Sequence, residues 1–188
     1  MPHIELAEGL PGIRALFAFR PDTANVLCDL ANALLYEPNS LSRAERELIA
    51  TYVSSQNDCY FCQTAHGALA SAHLGGNDEL VSGVKRDFER AEISEKLKAL
   101  LAIAGQVQQG GKQVQPADIE RARRAGASDR EIHDTVLIAA AFCMYNRYVD
   151  GLGTLAPTDP EGFKERAARV ARDGYSHVPQ ESVAGAGR

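Results

Sequence analysis

The chain has 188 residues, 45% hydrophobic and 24% charged, with a formal net charge of −5. That is enough chain for one domain with a real core, and the acidic balance argues against nucleic acid, since no basic face is available to neutralise phosphates. No apolar run approaches the ~20 residues needed to span a membrane, and Met1–Pro11 lack the basic and apolar regions of a signal peptide.

Helical patterning runs almost throughout. Pro11-Gly12 opens a short element ending near Phe19. Pro21 and Asp22 start a helix whose apolar set is Val26, Leu27, Leu30, Ala31, Leu34 and Leu35, and Pro38 stops it. Ser42 and Glu45 form a capping box for a helix that carries Leu48, Ile49, Tyr52 and Val53 on one side. After Gln56-Asn57-Asp58 a helix is expected from about Cys59 to His73, ended by Gly75-Gly76. Another runs from Asn77 to about Phe88.

Ser94 caps the next helix, and Gly110-Gly111 breaks it. Pro116 and Gly126 frame a further one, whose Arg121, Arg123 and Arg124 read as a solvated face. Ser128 and Glu131 make a second capping box, opening a long apolar helix from Asp129 to about Val149. With so few polar breaks, it is expected to be buried on most sides, in the core or under a neighbouring subunit. Pro160 starts a last helix to about Asp173.

No alternating β-branched run bounded by turns occurs, so the fold class is all-α. A single helical domain is expected over 1–179, and the Gly-, Ala- and Ser-rich stretch 180–188 is expected to be disordered. Sliding the chain by 84 residues pairs Cys59 with Cys143, whereas the capping boxes pair at 86, so any internal repeat is weak. In the first register Asn146 and Asp150 stand where Cys62 and His66 would be.

The chemistry concentrates in Asn57-Asp58-Cys59-Tyr60-Phe61-Cys62-Gln63-Thr64-Ala65-His66. Positions 59, 62 and 66 share one helical face. Asp58 or Asn57 is the expected cap, which puts Cys59 in the first turn where the helix dipole favours a thiolate. His66, one turn after Cys62, is placed to take its proton. Four cysteines in a chain this size do not suggest a disulfide scaffold. The expected compartment is the reducing cytoplasm, where such a pair is more often catalytic or metal-binding than structural.

Three readings stand open at this point. The pair is redox-active, or it is part of a zinc site with His66 and a remote fourth ligand among Cys143, His73 and Glu47, or it is two inert buried thiols. His73 is expected to meet the carbonyls at its helix end. His3, His133 and His177 receive structural readings. Glu47, twelve residues before Cys59, reaches the cysteine helix only if the two helices pack antiparallel. It would then raise the basicity of His66.

The pattern Glu47, Cys59, Cys62, His66 resembles the alkylhydroperoxidase D-like branch of the carboxymuconolactone decarboxylase superfamily. Phe19-Arg20-Pro21-Asp22-Thr23, Leu41 to Ala50 and Asn146 to Gly153 are similar to its peroxidase-related members. The resemblance implies a helical bundle that assembles into homo-oligomers, a hexamer first and a dimer next. It implies a cofactor-free thiol peroxidase in antioxidant defence, with a peroxide substrate and an external dithiol or disulfide-reductase protein as reductant. Cys62 would be the peroxidatic thiol, with His66 and Glu47 as its proton relay, and Cys59 the resolving, more exposed thiol. The best-studied branch has a histidine where this chain has Phe61, which implies a shortened relay. The alternatives are a thiol-disulfide oxidoreductase, or a metal-binding or thiol-sensor protein without turnover. A lactone decarboxylase rests on fold analogy alone, and that branch lacks the cysteine pair.

Overall fold

The computed structural model describes residues 1–175, so the stretch expected to be disordered, 180–188, lies outside the described residues. Those residues form nine α-helices and no strand: α1 (Ile13–Phe19), α2 (Pro21–Ala31), α3 (Arg43–Gln56), α4 (Tyr60–His73), α5 (Asp78–Asp87), α6 (Glu95–Gln109), α7 (Pro116–Arg124), α8 (Asp129–Gly151) and α9 (Pro160–Asp173). None is long and apolar enough to cross a membrane. A π-helical turn, Asn32–Tyr36, continues α2 before Pro38 ends it.

Helix starts follow local chemistry. Ser42 Oγ accepts from the Glu45 amide while Glu45 Oε2 accepts from the Ser42 amide at 2.8 Å. Ser128 and Glu131 repeat the arrangement. Each box satisfies two of the amide donors a helix start leaves unpaired. Asn77 and Ser94 cap α5 and α6. Pro21, Pro116 and Pro160 sit at first helical positions, where a missing N–H costs nothing.

The main core lies between α3, α6 and α8, around Leu48, Ile49, Leu100, Ile103, Ile138 and Phe142. Each such fully buried side chain contributes about 1.5–3 kcal/mol relative to exposure. On the other side of α3, α4 packs as its hairpin partner, and α9 covers α4. The helix of the cysteine pair is thus held between two others, next to the core.

Within one chain α8 is buried on most sides, as expected, chiefly by α3 and α6 with further contacts to α1, α4 and α7, and one stripe is left facing outward. His133, Leu137, Ala140, Met144 and Arg147 form an exposed stripe at alternating spacings of four and three. Leu137 is 39% and Met144 43% exposed. Val26, assigned to the apolar face of α2, also points outward.

Candidate active site

The link between α3 and α4 is only Asn57-Asp58-Cys59, and its conformation positions both thiols. Asp58 adopts φ 55°, the left-handed region that Asp tolerates better than most side chains. Asn57 ends α3, and its side chain turns inward. It donates to Asn146 Oδ1 at 2.8 Å and accepts from Gln108 Nε2 at 3.0 Å. Neither residue therefore caps α4, contrary to the sequence expectation: Asn57 is drawn into a buried polar network and Asp58 makes the turn.

Cys59 is itself the N-cap, and α4 begins at Tyr60. Cys62 is then the third helical residue, so the positive end of the helix dipole acts on Cys62 rather than Cys59. Cys59 is 0% exposed, which corrects its expected position as the more accessible sulfur. The cap turns it inward against Val149 and Phe163. The outward place at the helix start goes to Tyr60.

Glu47 is only 2% exposed, although its sequence context reads as surface. The α3–α4 hairpin brings its Oε2 to 2.7 Å from His66 Nδ1. Its other oxygen, Oε1, accepts from the Tyr175 hydroxyl at 2.7 Å. An ionised carboxylate can only accept, so His66 donates from Nδ1 and Nε2 is left as the basic nitrogen. The imidazole is fixed further by the edge of Phe142, with ring centroids 4.6 Å apart, and by the face of Tyr175.

Tyr175 is held in turn by Asn32. The Asn32 amide donates to the Tyr175 carbonyl and accepts from the Tyr175 N–H, both at 2.8 Å. Gly174 makes this approach possible. Its φ is 78°, and a Cβ there would lie 2.9 Å from Asn32 Oδ1. Burial, with the Glu47 carboxylate beside it, pushes the Tyr175 hydroxyl well above the usual phenol value, so it stays a donor.

The two thiols sit in different fields. Cys62 is held below the ordinary thiol value because the Cys59 thiol donates to it, while the His66 charge and an Asn146 hydrogen bond add to this and burial opposes it. Cys59 is pushed up by that same bond and by burial. Asp150 hydrogen-bonds Cys59 as well, and burial raises the Asp150 carboxyl. Asn146 also donates to Ser54 Oγ at 3.0 Å. Chemically, the surroundings favour a thiolate at Cys62 and a thiol at Cys59, with a carboxylate-oriented imidazole one turn away.

A cavity of about 60 Å³ lies beside Cys62 and His66, walled by Phe61, Ala65, Leu69, Phe142 and Phe163. Phe61 packs tilted against Phe163, with centroids 5.8 Å apart. Its ring has no proton to relay, and Glu47 meets His66 directly.

Of the residues singled out in the sequence, Glu47, Cys59, Cys62 and His66 are brought together. Cys143 lies nearby, 3.6 Å from Asn57 Nδ2. His73, in the last turn of α4, makes no hydrogen bond to the terminal carbonyls among the described residues, and burial lowers its pKa. His3 packs on Gly153, and exposed His133 pairs with half-buried Asp134. His177 lies outside the described residues. Among the described residues no three His, Cys, Asp or Glu side chains form a metal-binding group.

Tyr175, Asn32, Asn146 and Asp150 were missed as site residues. The register pairing Cys59 with Cys143 had already set Asn146 and Asp150 opposite Cys62 and His66. It carried no hint of contact. Tyr175 has no local signal at all.

A model of the carboxymuconolactone decarboxylase family matches residues 21–84, the span from α2 to α5 that carries Glu47, Cys59, Cys62 and His66. An uncharacterized peroxidase-related protein from Silicibacter sp. TM1040 is 28% identical with a TM-score of 0.74, over 81% of this chain and 79% of its own. The alkylhydroperoxidase AhpD core of an uncharacterized peroxidase-related protein from Ralstonia eutropha JMP134 is 27% identical with a TM-score of 0.74, over 82% of this chain and 80% of its own. No curated protein matches the chain.

Proposed function

We propose that this chain, which matches the carboxymuconolactone decarboxylase family over residues 21–84 and is similar to solved peroxidase-related proteins with the alkylhydroperoxidase D-like fold, is a cysteine-based peroxidase reducing alkyl hydroperoxides in antioxidant defence. The observation that carries this reading is the asymmetry of the two thiols. Cys62 is favoured as thiolate and lies beside a base oriented by Glu47, whereas Cys59 is held protonated.

The cycle needs no bound cofactor. His66 accepts the Cys62 proton at Nε2. The thiolate attacks the terminal peroxide oxygen, the O–O bond breaks, and the alkoxide leaves with the proton from His66 as the alcohol. Cys62 is now a sulfenic acid. Cys59 attacks it, water leaves, and a Cys59–Cys62 disulfide forms. An external dithiol reduces the disulfide by exchange and is itself oxidised. Both sulfurs being buried, this last step favours a slender dithiol over a bulky one unless the start of α4 opens.

The test separates the two cysteines. Cys62→Ser abolishes peroxide oxidation. Cys59→Ser reacts once, giving a sulfenic acid at Cys62 that a dimedone-type reagent traps and peptide mass spectrometry locates. An adduct on Cys59 in the Cys62→Ser protein, with none on Cys62 in the other, reverses the roles. If neither reacts and the parent is oxidised only by disulfides, the protein is a thiol oxidoreductase.

The assembly proposed alongside is a homo-oligomer, a hexamer first and a dimer next, formed through the exposed Leu137, Ala140 and Met144 stripe of α8. The compartment proposed is the cytoplasm. A monomeric mass by light scattering refutes the assembly.

A further inference from the structure

The polar groups on the cavity wall beside Cys62 differ in how far they are satisfied. His66 and Tyr175 are both engaged by Glu47. The Tyr145 hydroxyl donates to the Leu27 carbonyl at 2.9 Å. Arg166 is different. It lines the same cavity and is half-buried, yet among the described residues it makes no hydrogen bond and no ion pair. On the same helix Lys164 pairs with Glu161 and Arg172 with Asp173, while Arg169 is exposed to solvent. Charged neighbours of Arg166 include two more cations, Arg14 and Arg169, which do not neutralise it.

A guanidinium drawn out of water without a partner is costly. Its five N–H donors form a planar fork that matches a carboxylate in bidentate fashion. Most of the remaining wall is ring and aliphatic surface, Phe61, Phe142 and Phe163 among it. The cavity volume of about 60 Å³ corresponds to roughly four to six waters at about 10–15 Å³ of such volume each. That admits a few heavy atoms and excludes a long acyl chain lying wholly inside.

We propose that Arg166 is the carboxylate anchor of a substrate cavity, and that the preferred substrate is a compact organic hydroperoxide carrying a carboxylate a few carbons from its –OOH. This rests on the peroxidase reading for the hydroperoxide end only. The anchor orients the molecule with its apolar middle against the rings and its peroxide toward Cys62. Reduction then leaves a hydroxy acid as product, by the same oxygen transfer to sulfur described above.

The experiment compares tert-butyl hydroperoxide with a counterpart in which one methyl bears a carboxylate, in the full chain, Arg166→Gln and Arg166→Lys. The expected result is a kcat/KM ratio favouring the carboxylated peroxide in the parent. That ratio falls about tenfold or more in Arg166→Gln, as for loss of a charged hydrogen bond, and is partly restored in Arg166→Lys. A second readout needs no turnover: the non-peroxide acid, tert-butylacetate, protects Cys62 from alkylation in the parent and much less in Arg166→Gln. Turnover with an unchanged ratio and no protection overturns the anchor and leaves the peroxidase standing. Arg166-dependent protection without consumption of any peroxide supports the anchor and overturns the peroxidase. Absence of both turnover and protection overturns both.

Discussion

Replacing Glu47 by Gln removes one negative charge while keeping the shape of a side chain that is almost wholly buried. Gln can still accept from His66 Nδ1 through its oxygen and donate from its amide to the Tyr175 oxygen, so both contacts survive with one reversed. Folding is therefore little affected: a cost of about 1 kcal/mol lowers Tm by roughly 2–4 °C for a chain of this size. The electrostatic effect is larger. Losing the carboxylate that lies 2.7 Å from the imidazole weakens the field that favours a thiolate at Cys62. Only part of that field is lost, because the donors Cys59 and Asn146 remain. An upward shift of the Cys62 thiol, read as alkylation slowed several-fold below its midpoint, is the expected outcome. The assay is the pH profile of iodoacetamide alkylation at Cys62, read by peptide mass spectrometry beside thermal melts. Glu45→Gln is the control, since the hydrogen bonds of Glu45 go to the cap of α3 and not to His66. Superimposable profiles in parent and Glu47→Gln would refute the relay.

Three further outcomes follow from buried polar groups. Tyr175→Phe deletes a donor to a buried carboxylate and should cost about 1.5–3 kcal/mol, while shifting the Cys62 profile less than Glu47→Gln because the charge remains; urea melts showing no loss count against the contact. Thr51 Oγ1 is buried without a hydrogen-bond partner among the described residues. Thr51→Val, which keeps the shape, should raise stability by about 0.5–1 kcal/mol, and a lower Tm contradicts this. Burial raises the Glu131 carboxyl, but Lys96 at 2.7 Å and the Ser128 cap outweigh it, and the net pKa is depressed. As the pH falls, the unfolded state therefore binds its proton first. The stability Glu131 contributes is complete above the unfolded value of about 4.5, and disappears as the pH falls through the lower folded value. Glu131→Gln should flatten that acid loss in urea midpoints measured from pH 6 to pH 3, and parallel losses in both proteins would exclude Glu131 as a contributor.

The sequence by itself determined what depends on neighbours three or four residues apart. The boxes at Ser42 and Ser128, the prolines at helix starts and the shared face of Cys62 and His66 were legible because their partners lie within one turn. The carboxylate of the relay was legible only through resemblance, since Glu47 acquires its meaning from a residue nineteen positions away. Which sulfur stands at the helix start was misread, because it turned on where Asn57 sends its side chain, and that is settled by Asn146 on α8 and Gln108 on α6. Tyr175 reaches Glu47 across 128 positions, through a glycine turn and the Asn32 clamp, and Arg166 meets the cavity only because α9 packs on α4. Local sequence encodes helix ends through short-range hydrogen bonds, whereas the site is made of contacts between helices, whose pairing is decided by the packing of the whole core.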